Sequence, residues 1–507
     1  MFKKKAKIDT TNLISLVVSD DVQVANSLKR ILTGIKGNWK IYTIGKSCLS
    51  FPKSSVGVKD DFSLELKFKD DELKKIALAS SEIFIATLPD EKGYYDKYKI
   101  YTFLKHLKIS VPIYSMLLPF ISEESVLYSL MNRKRVDIDN KKVLQYEARL
   151  AIDRLVRFHT NEVFKQMLPI EPNLESNSAI ILDFIDSLSA KVQYIRYNGQ
   201  YDYFTLRKGE ELDKTYSYSF KKLSKAVSLQ NLLIAYSKLG KWVGSVKALI
   251  ELYSKGLLSY PTNSKSTKAF VTDSICKKVS DKSWGVYARE HNSDAPLSDM
   301  ASDILATYGF LTTVKSYRQN LTIGNNVLVT FPNQEIEGEV EFLCEKNSLG
   351  VSQKELAMFF EKICLPSKLW VYQMFLLCKN GLVVEVSDTS YCLTALGKLV
   401  LQIIKEKIPR LLNEKSVSRI NECVLNITDE ESRYDFLTNR WDRINIEITS
   451  IDNFNIPKVK SRCDKCGTRL ALNVTDKTVF VRCQNPKCSN DAMLPITIKK
   501  NQIYAKE

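Results

Sequence analysis

Two short apolar runs stand near the start of the chain, Leu13-Ile14-Ser15-Leu16-Val17-Val18 and Glu82-Ile83-Phe84-Ile85-Ala86-Thr87. Runs of this length and apolarity predict strands buried on both faces, as in a parallel sheet covered by helices. Each ends in an acidic turn, Ser19-Asp20-Asp21 in the first case and Leu88-Pro89-Asp90-Glu91-Lys92-Gly93 in the second. Helical spacing follows both: Val22, Val24, Ala25, Leu28, Ile31 and Leu32, then Tyr98, Ile100, Tyr101 and Leu104. Strand, acidic turn and helix, repeated, predict an open α/β unit whose sites form at the carboxyl ends of strands. Asp20 and Asp90 would then share a crevice, although an aspartate at such a turn is also an ordinary helix cap.

Further along, the pattern is helical from Val136 to Val163, with Arg149 and Asp153 four apart on one face. Ala179 to Leu188 reads as helix, Val192 to Leu206 alternates as strands, and Lys221 to Lys255 reads as helix up to Gly256. The chain leaves that cap as Leu257-Leu258-Ser259-Tyr260-Pro261. Strands are expected at Val327 to Phe331 and Gly338 to Phe342, and helices at Gln353 to Glu361, Trp370 to Cys378 and Ala395 to Ile408. The first two of those helices, with Leu382-Val383-Val384-Glu385-Val386 as a strand, resemble part of a winged-helix unit.

A length of 507 residues excludes one small core, and 44% hydrophobic content excludes global disorder. Lys and Arg total 74 against 58 Asp and Glu, a net charge of +16 that favours a polyanionic partner such as nucleic acid. No run of eighteen apolar residues occurs, the nearest being Leu369 to Cys378, and the basic start lacks the long apolar region of a secretory signal. The expectation is a soluble, cytoplasmic protein without a membrane partner.

Of eleven cysteines, seven are scattered singly in apolar stretches and read as small buried side chains. The other four form two knuckles, Cys463-Asp-Lys-Cys466-Gly467 and Cys483-Gln-Asn-Pro-Lys-Cys488. Four thiolates suit tetrahedral zinc, and Leu470 to Thr475 and Thr478 to Arg482 alternate as the hairpin of a zinc ribbon. With no open ligand position, Zn²⁺ is expected to be structural. From Pro457 to Glu507, eleven Lys or Arg stand against four Asp or Glu, an excess of seven, with Phe480 and Tyr504 able to stack on bases. A solvated basic face or a protein-docking knuckle fits these residues as well.

Taken in order, these pieces resemble the type IA DNA topoisomerases over almost the whole chain. The closest match is Leu252-Tyr-Ser-Lys-Gly-Leu-Leu-Ser-Tyr260-Pro261-Thr262, which resembles the segment carrying the nucleophilic tyrosine. Supporting it are Ala148-Arg149 with Asp153-Arg154-Leu155-Val156, Ser228-Leu-Gln230, His291 followed by Pro296, and Leu393-Thr394-Ala-Leu-Gly397. The resemblance implies an α/β plus mainly α multi-domain toroid: a TOPRIM-like domain at 1–116, a helical DNA-binding domain at 117–186 and 346–456, and a β-rich hinge at 187–222 and 308–345. A helical domain at 223–307 would carry Tyr260, and 457–507 would form the zinc ribbon. It implies single-stranded DNA as substrate and a transient bond between Tyr260 and a 5′-phosphate. Asp20, where the family has a glutamate, and Asp90 would complete the catalytic set. Lys92, Arg149, Lys265, Lys268 and His291 would meet DNA, and Mg²⁺ would sit on TOPRIM carboxylates.

The departures are specific. The acidic motif Asp-x-Asp-x-x-Gly-Glu stands here as Leu88, Asp90, Gly93 and Tyr94, so two carboxylates are gone. The Arg-Glu pair before the glycine is Glu91-Lys92, and the arginine two residues beyond the tyrosine is replaced in Tyr260-Pro261-Thr262. The Gly-Arg-Val-Gln segment is replaced by Ser176-Asn177-Ser178-Ala179-Ile180, and the arginine near His291 is Ala295. Mg²⁺ needs several oxygen ligands, so its binding depends on Asp20, Asp90, Glu91 or Asp96 regrouping. Three readings follow: a weakened or specialised nicking and rejoining enzyme, as on a mobile element; an inactive DNA-binding protein; or an adaptor whose ribbon docks a helicase or recombination partner. The chain is expected to be a monomer, nucleoid-associated if bacterial.

Overall fold

The computed structural model describes residues 13–260, 285–286 and 296–505, less 45–48, 51–54, 66, 69, 117, 119, 169, 189–190, 198, 208, 223–226, 238–241, 243, 314–316, 332–337, 348–349, 388–389, 450–458, 476–478, 484, 491 and 500–501. The first apolar run forms strand Ile14–Ser19, and the second forms strand Ser80–Ala86. They lie side by side and parallel, with Ser19 opposite Ala86. Strands Asn38–Thr43 and Ile113–Ser115 extend the sheet in parallel on either side, and Lys134–Arg135 closes one edge antiparallel.

Side chains alternate across a strand, so the sheet has two apolar faces. Leu16, Val18, Ile83 and Ile85 pack under helices Asp71–Leu78 and Glu91–His106. Val17, Phe84 and Ala86 pack on the opposite face with Val24 and Leu28 of helix Val22–Thr33 and Val126 of helix Glu123–Met131. Each such side chain, fully buried, contributes about 1.5–3 kcal/mol. Tyr253 and Tyr260 belong to this second face, so the segment carrying Tyr260 is seated on the sheet.

A larger core gathers helix Asn140–Met167 with Ser178–Ser187, Leu229–Tyr236, Gln353–Lys362, Ser367–Lys379 and Ala395–Lys407. Two antiparallel three-stranded sheets meet through a separate core containing Ile195, Phe204, Leu321 and Leu328. One orders Glu341–Asn347, Lys191–Tyr197 and Gln200–Leu206, and the other orders Tyr216–Lys222, Tyr317–Ile323 and Asn326–Thr330. The winged-helix expectation finds helices Gln353–Lys362 and Ser367–Lys379 beside a small sheet of Val351–Ser352, Ser390–Leu393 and Val383–Ser387.

The long helix expected from Lys221 to Lys255 is absent. Lys221 and Lys222 end a strand paired with Arg318 and Tyr317, and the remainder breaks into helices Leu229–Tyr236 and Ser245–Ser254. Ser228 starts the first by accepting from the Asn231 amide at 3.1 Å, and Gly244, at φ 103°, precedes the second. The apolar spacing was genuine on both sides, but a serine cap and a left-handed glycine interrupt it.

Candidate active site and metal centre

The site is built where the two central strands end. Asp20 follows the first, and its Oδ1 accepts the Leu88 amide at 3.1 Å, tying one strand end to the next. Asp21, rather than Asp20, caps the first helix, accepting from the Gln23 and Val24 amides at 2.8 and 3.0 Å. Asp90 caps the second, accepting from the Gly93 amide at 2.7 Å. A Cβ on Gly93 would stand 1.8 Å from the Leu88 carbonyl oxygen, so only glycine permits this turn.

Asp90 therefore serves as cap and site residue together. Its Oδ1 is held by Gly93, and its Oδ2 forms an ion pair with the Lys368 ammonium. The Tyr260 side chain stands beside this pair, with the Lys368 ammonium 5.7 Å from its ring centre. Burial alone would push Asp90 up, yet Lys368, the Gly93 amide and the Tyr260 phenol hold it below the usual carboxylate range. The same burial, with the Asp90 charge, pushes the Tyr260 phenol well above its usual range. Tyr260 is 5% exposed, and Tyr253 meets it edge-on with ring centroids 5.3 Å apart. Tyr253 is itself fixed by donating to the Leu118 carbonyl at 2.5 Å. Gly256, at φ +72°, turns the chain between them against Ile121, where a Cβ would come within 2.7 Å of the carbonyl oxygen.

Asp20 has a different environment. Its Oδ2 is shielded from solvent and has no hydrogen-bond partner among the described residues. Burial raises its carboxyl to about 7, with Lys92 opposing the rise and Asp96 and Asp90 adding to it. Lys92 pairs with Asp96 at 2.5 Å, and Lys99 reaches the other Asp96 oxygen at 2.6 Å.

The acidic pocket does not fit Mg²⁺. Leu88 offers no oxygen, both Asp90 oxygens are occupied, and Asp96 is bridged by two lysines. Three ammonium groups already face the carboxylates that a divalent ion would need.

Of the residues expected to meet DNA, Lys92 lies beside Asp20 and Asp96, half-exposed. Arg149 is buried, and its guanidinium donates to Asn421 Oδ1 at 3.2 Å in the interior. Its expected relation to Asp153 holds electrostatically, and Asp153 accepts from the Ser176 amide and hydroxyl at 3.0 and 2.6 Å. Lys265, Lys268 and His291 lie outside the described residues.

Two features escaped sequence reasoning. Lys368 comes from the first turn of helix Ser367–Lys379, far along the chain, where a cation opposes the helix dipole unless an anion meets it. That misplaced charge was the available signal. Near Asp153, Arg157 pairs with Glu175, which also accepts from Tyr372 and Gln373 at 3.1 and 3.0 Å. Burial and the neighbouring Asp153 raise Glu175 to about 7. The ladder of three residues at intervals of four, Arg149, Asp153 and Arg157, is visible in the sequence.

The four clustered cysteines converge with their sulfurs within 4.8 Å of one another. Cys463 and Cys488 are 3.8 Å apart and Cys466 and Cys483 3.5 Å, near the ~3.8 Å edge of a tetrahedron with Zn–S ~2.3 Å. Asn490 donates to the Cys463 sulfur at 3.4 Å, and the Gly467 amide closes the first knuckle on the Cys463 carbonyl at 2.8 Å. The donor set fits Zn²⁺. The expected hairpin appears as Ala471–Val474 and Val479–Arg482, and a further hairpin, Leu494–Lys499 with Gln502–Ala505, widens it to four strands. Val479, Val481, Ile496 and Ile503 join the main core, so the ribbon is part of the body.

No protein-family model matches the chain, and no curated protein matches it. Among solved structures the chain is similar to full-length topoisomerase I from Thermotoga maritima, with a TM-score of 0.61 and 14% identity, covering 96% of this chain and 100% of that one. At that identity the likeness shows a shared fold. The architecture is mixed α/β and similar in fold to a topoisomerase I, and it carries a four-cysteine cluster that could hold zinc. Among the described residues no helix is long and apolar enough to cross a membrane.

Proposed function

We propose that this chain is a type IA topoisomerase-like protein that binds single-stranded DNA and cleaves and rejoins it through a transient 5′-phosphotyrosine at Tyr260. The observation that carries this reading is the Tyr260 ring set beside the buried Asp90–Lys368 ion pair, with the Lys368 ammonium 5.7 Å from the ring centre. A phenol must lose its proton as it attacks phosphorus, and Asp90, kept ionised, is in place to accept it. The leaving 3′-oxygen needs a proton, and Asp20, raised to about 7, retains one near neutral pH. Asp20 is therefore the general acid and Asp90 the base that orients the nucleophile. Lys92, Lys265, Lys268 and His291 are the proposed phosphate contacts. The domain layout read from the sequence is proposed with them, as is a partner-docking role for the ribbon of a monomeric protein.

Tyr260 is 5% exposed, so a strand reaches it only when the segments carrying Tyr260, Asp90 and Lys368 part. That burial also favours a second reading, a topoisomerase-derived protein that grips single strands without cutting them. A labelled single-stranded oligonucleotide separates the two on a denaturing gel. A protein–DNA adduct from the native chain and none from Tyr260→Phe supports cleavage. Salt-sensitive binding by both, without any adduct, leaves binding alone.

A further inference from the structure

This inference rests on the cleavage proposed above and concerns what replaces the metal. A phosphodiester entering the site carries a negative charge that grows on its non-bridging oxygens as the new P–O bond forms. Fixed positive charge at that place is commonly the largest catalytic contribution. Leu88 brings no side-chain oxygen, Asp90 and Asp96 are already held by cations, and the unpartnered Asp20 Oδ2 is one oxygen where a divalent ion needs several, so the charge must come from the chain. Three lysines surround the carboxylates. Lys92 and Lys99 are both committed to Asp96. Among these three, Lys368 reaches the nucleophile: its ammonium lies 5.7 Å from the centre of the Tyr260 ring while bonded to Asp90. Its side chain is 22% exposed where that of Asp90 is 2% exposed, so solvent reaches the cation but not its partner.

We infer that Lys368 supplies the positive charge that a divalent ion would otherwise provide, so that cleavage and rejoining at Tyr260 need no divalent cation. In cleavage the Tyr260 oxygen bonds to phosphorus while its proton passes to Asp90. The P–O3′ bond breaks, its electron pair stays on O3′, and that oxygen takes the proton held by Asp20. Rejoining runs the same transfers in reverse, returning the protons to Asp20 and Tyr260. Lys368 contacts the non-bridging oxygens throughout and exchanges no proton. As Asp90 becomes neutral its pairing with Lys368 weakens, which frees the ammonium for the phosphate when the charge there is greatest.

The test is a strand-transfer assay with the full chain, in which a cleaved oligonucleotide is passed to a second oligonucleotide bearing a free 3′-hydroxyl, in EDTA and in Mg²⁺. Equal transfer in the two conditions is expected. Lys368→Met should reduce transfer by about 10²–10³-fold and Lys368→Arg should restore part of it. Because Lys368→Met leaves Asp90 unpaired and threatens folding, the melting temperature of the native protein is also measured with and without Mg²⁺, and no shift is expected. Transfer that requires Mg²⁺, or an Mg²⁺-dependent melting shift, would overturn the role of Lys368 and leave the cleavage reading standing. Absence of any covalent adduct under all conditions would overturn the cleavage reading itself.

Discussion

The Lys368 ammonium pairs with the Asp90 carboxylate and stands 5.7 Å from the centre of the Tyr260 ring. These residues come from a helix start, a strand-to-helix turn and the loop after a helix cap, so their meeting depends on the whole assembly. Asp90 is 2% exposed, and a buried ion pair of this kind is most sensitive to losing one partner. Lys368→Met is expected to destabilise the protein by about 3–5 kcal/mol, and Asp90→Asn in the same chain to recover most of that loss. Urea unfolding of the single and double variants measures both.

Gly93 and Gly309 offer a matched pair of glycine substitutions. A Cβ at Gly93 meets the Leu88 carbonyl, so Gly93→Ala is expected to cost about 3 kcal/mol or more and to displace Asp90 from its cap. A Cβ at Gly309, within helix Asp299–Thr313, meets nothing within 4 Å, so Gly309→Ala should stabilise by up to about 1 kcal/mol. Thermal melts of the two variants should move in opposite directions.

Asp20 and Glu175 make stability depend on pH. Both are raised to about 7 in the folded chain, chiefly by burial, whereas an unfolded carboxyl titrates near ~4. The native state thus holds protons that the unfolded chain releases, and the resulting stability is complete below pH ~4 and lost as pH rises through about 7. Asp90, held below its usual value, acts in the opposite sense and only at acid pH. Between about pH 5 and pH 8 the native protein should become easier to unfold, and Asp20→Asn should flatten that slope.

Removal of zinc should reach beyond the ribbon, because Val479, Val481, Ile496 and Ile503 are part of the main core. Metal analysis is expected to find a single zinc per chain, held by Cys463, Cys466, Cys483 and Cys488. Chelation should lower the melting temperature of the body as well as unfold the ribbon, and Cys466→Ser should reproduce both effects.

What the sequence disclosed follows from how locally each feature is encoded. The two central strands, their acidic turns and the cysteine knuckles were legible because periodicity and spacing suffice to read them. The nearness of Tyr260 to Asp90 was legible only through the resemblance, since no local rule joins residues so far apart. Lys368 carried only an indirect signal, a cation in the first turn of a helix, and nothing near Pro366-Ser367-Lys368 says which carboxylate meets it. The helix expected across Lys221 to Lys255 fails for the opposite reason: its apolar spacing is real, but short-range signals at Ser228 and Gly244 divide it.

The account turns on Tyr260 as the nucleophile, and the most direct measurement is peptide mass mapping after incubation with single-stranded DNA, followed by nuclease and protease digestion. A nucleotide attached through phosphate to the peptide containing Tyr260, and lost in Tyr260→Phe, is the predicted result. DNA attached at any other residue, or no attachment while single-stranded DNA is still bound tightly, would contradict it.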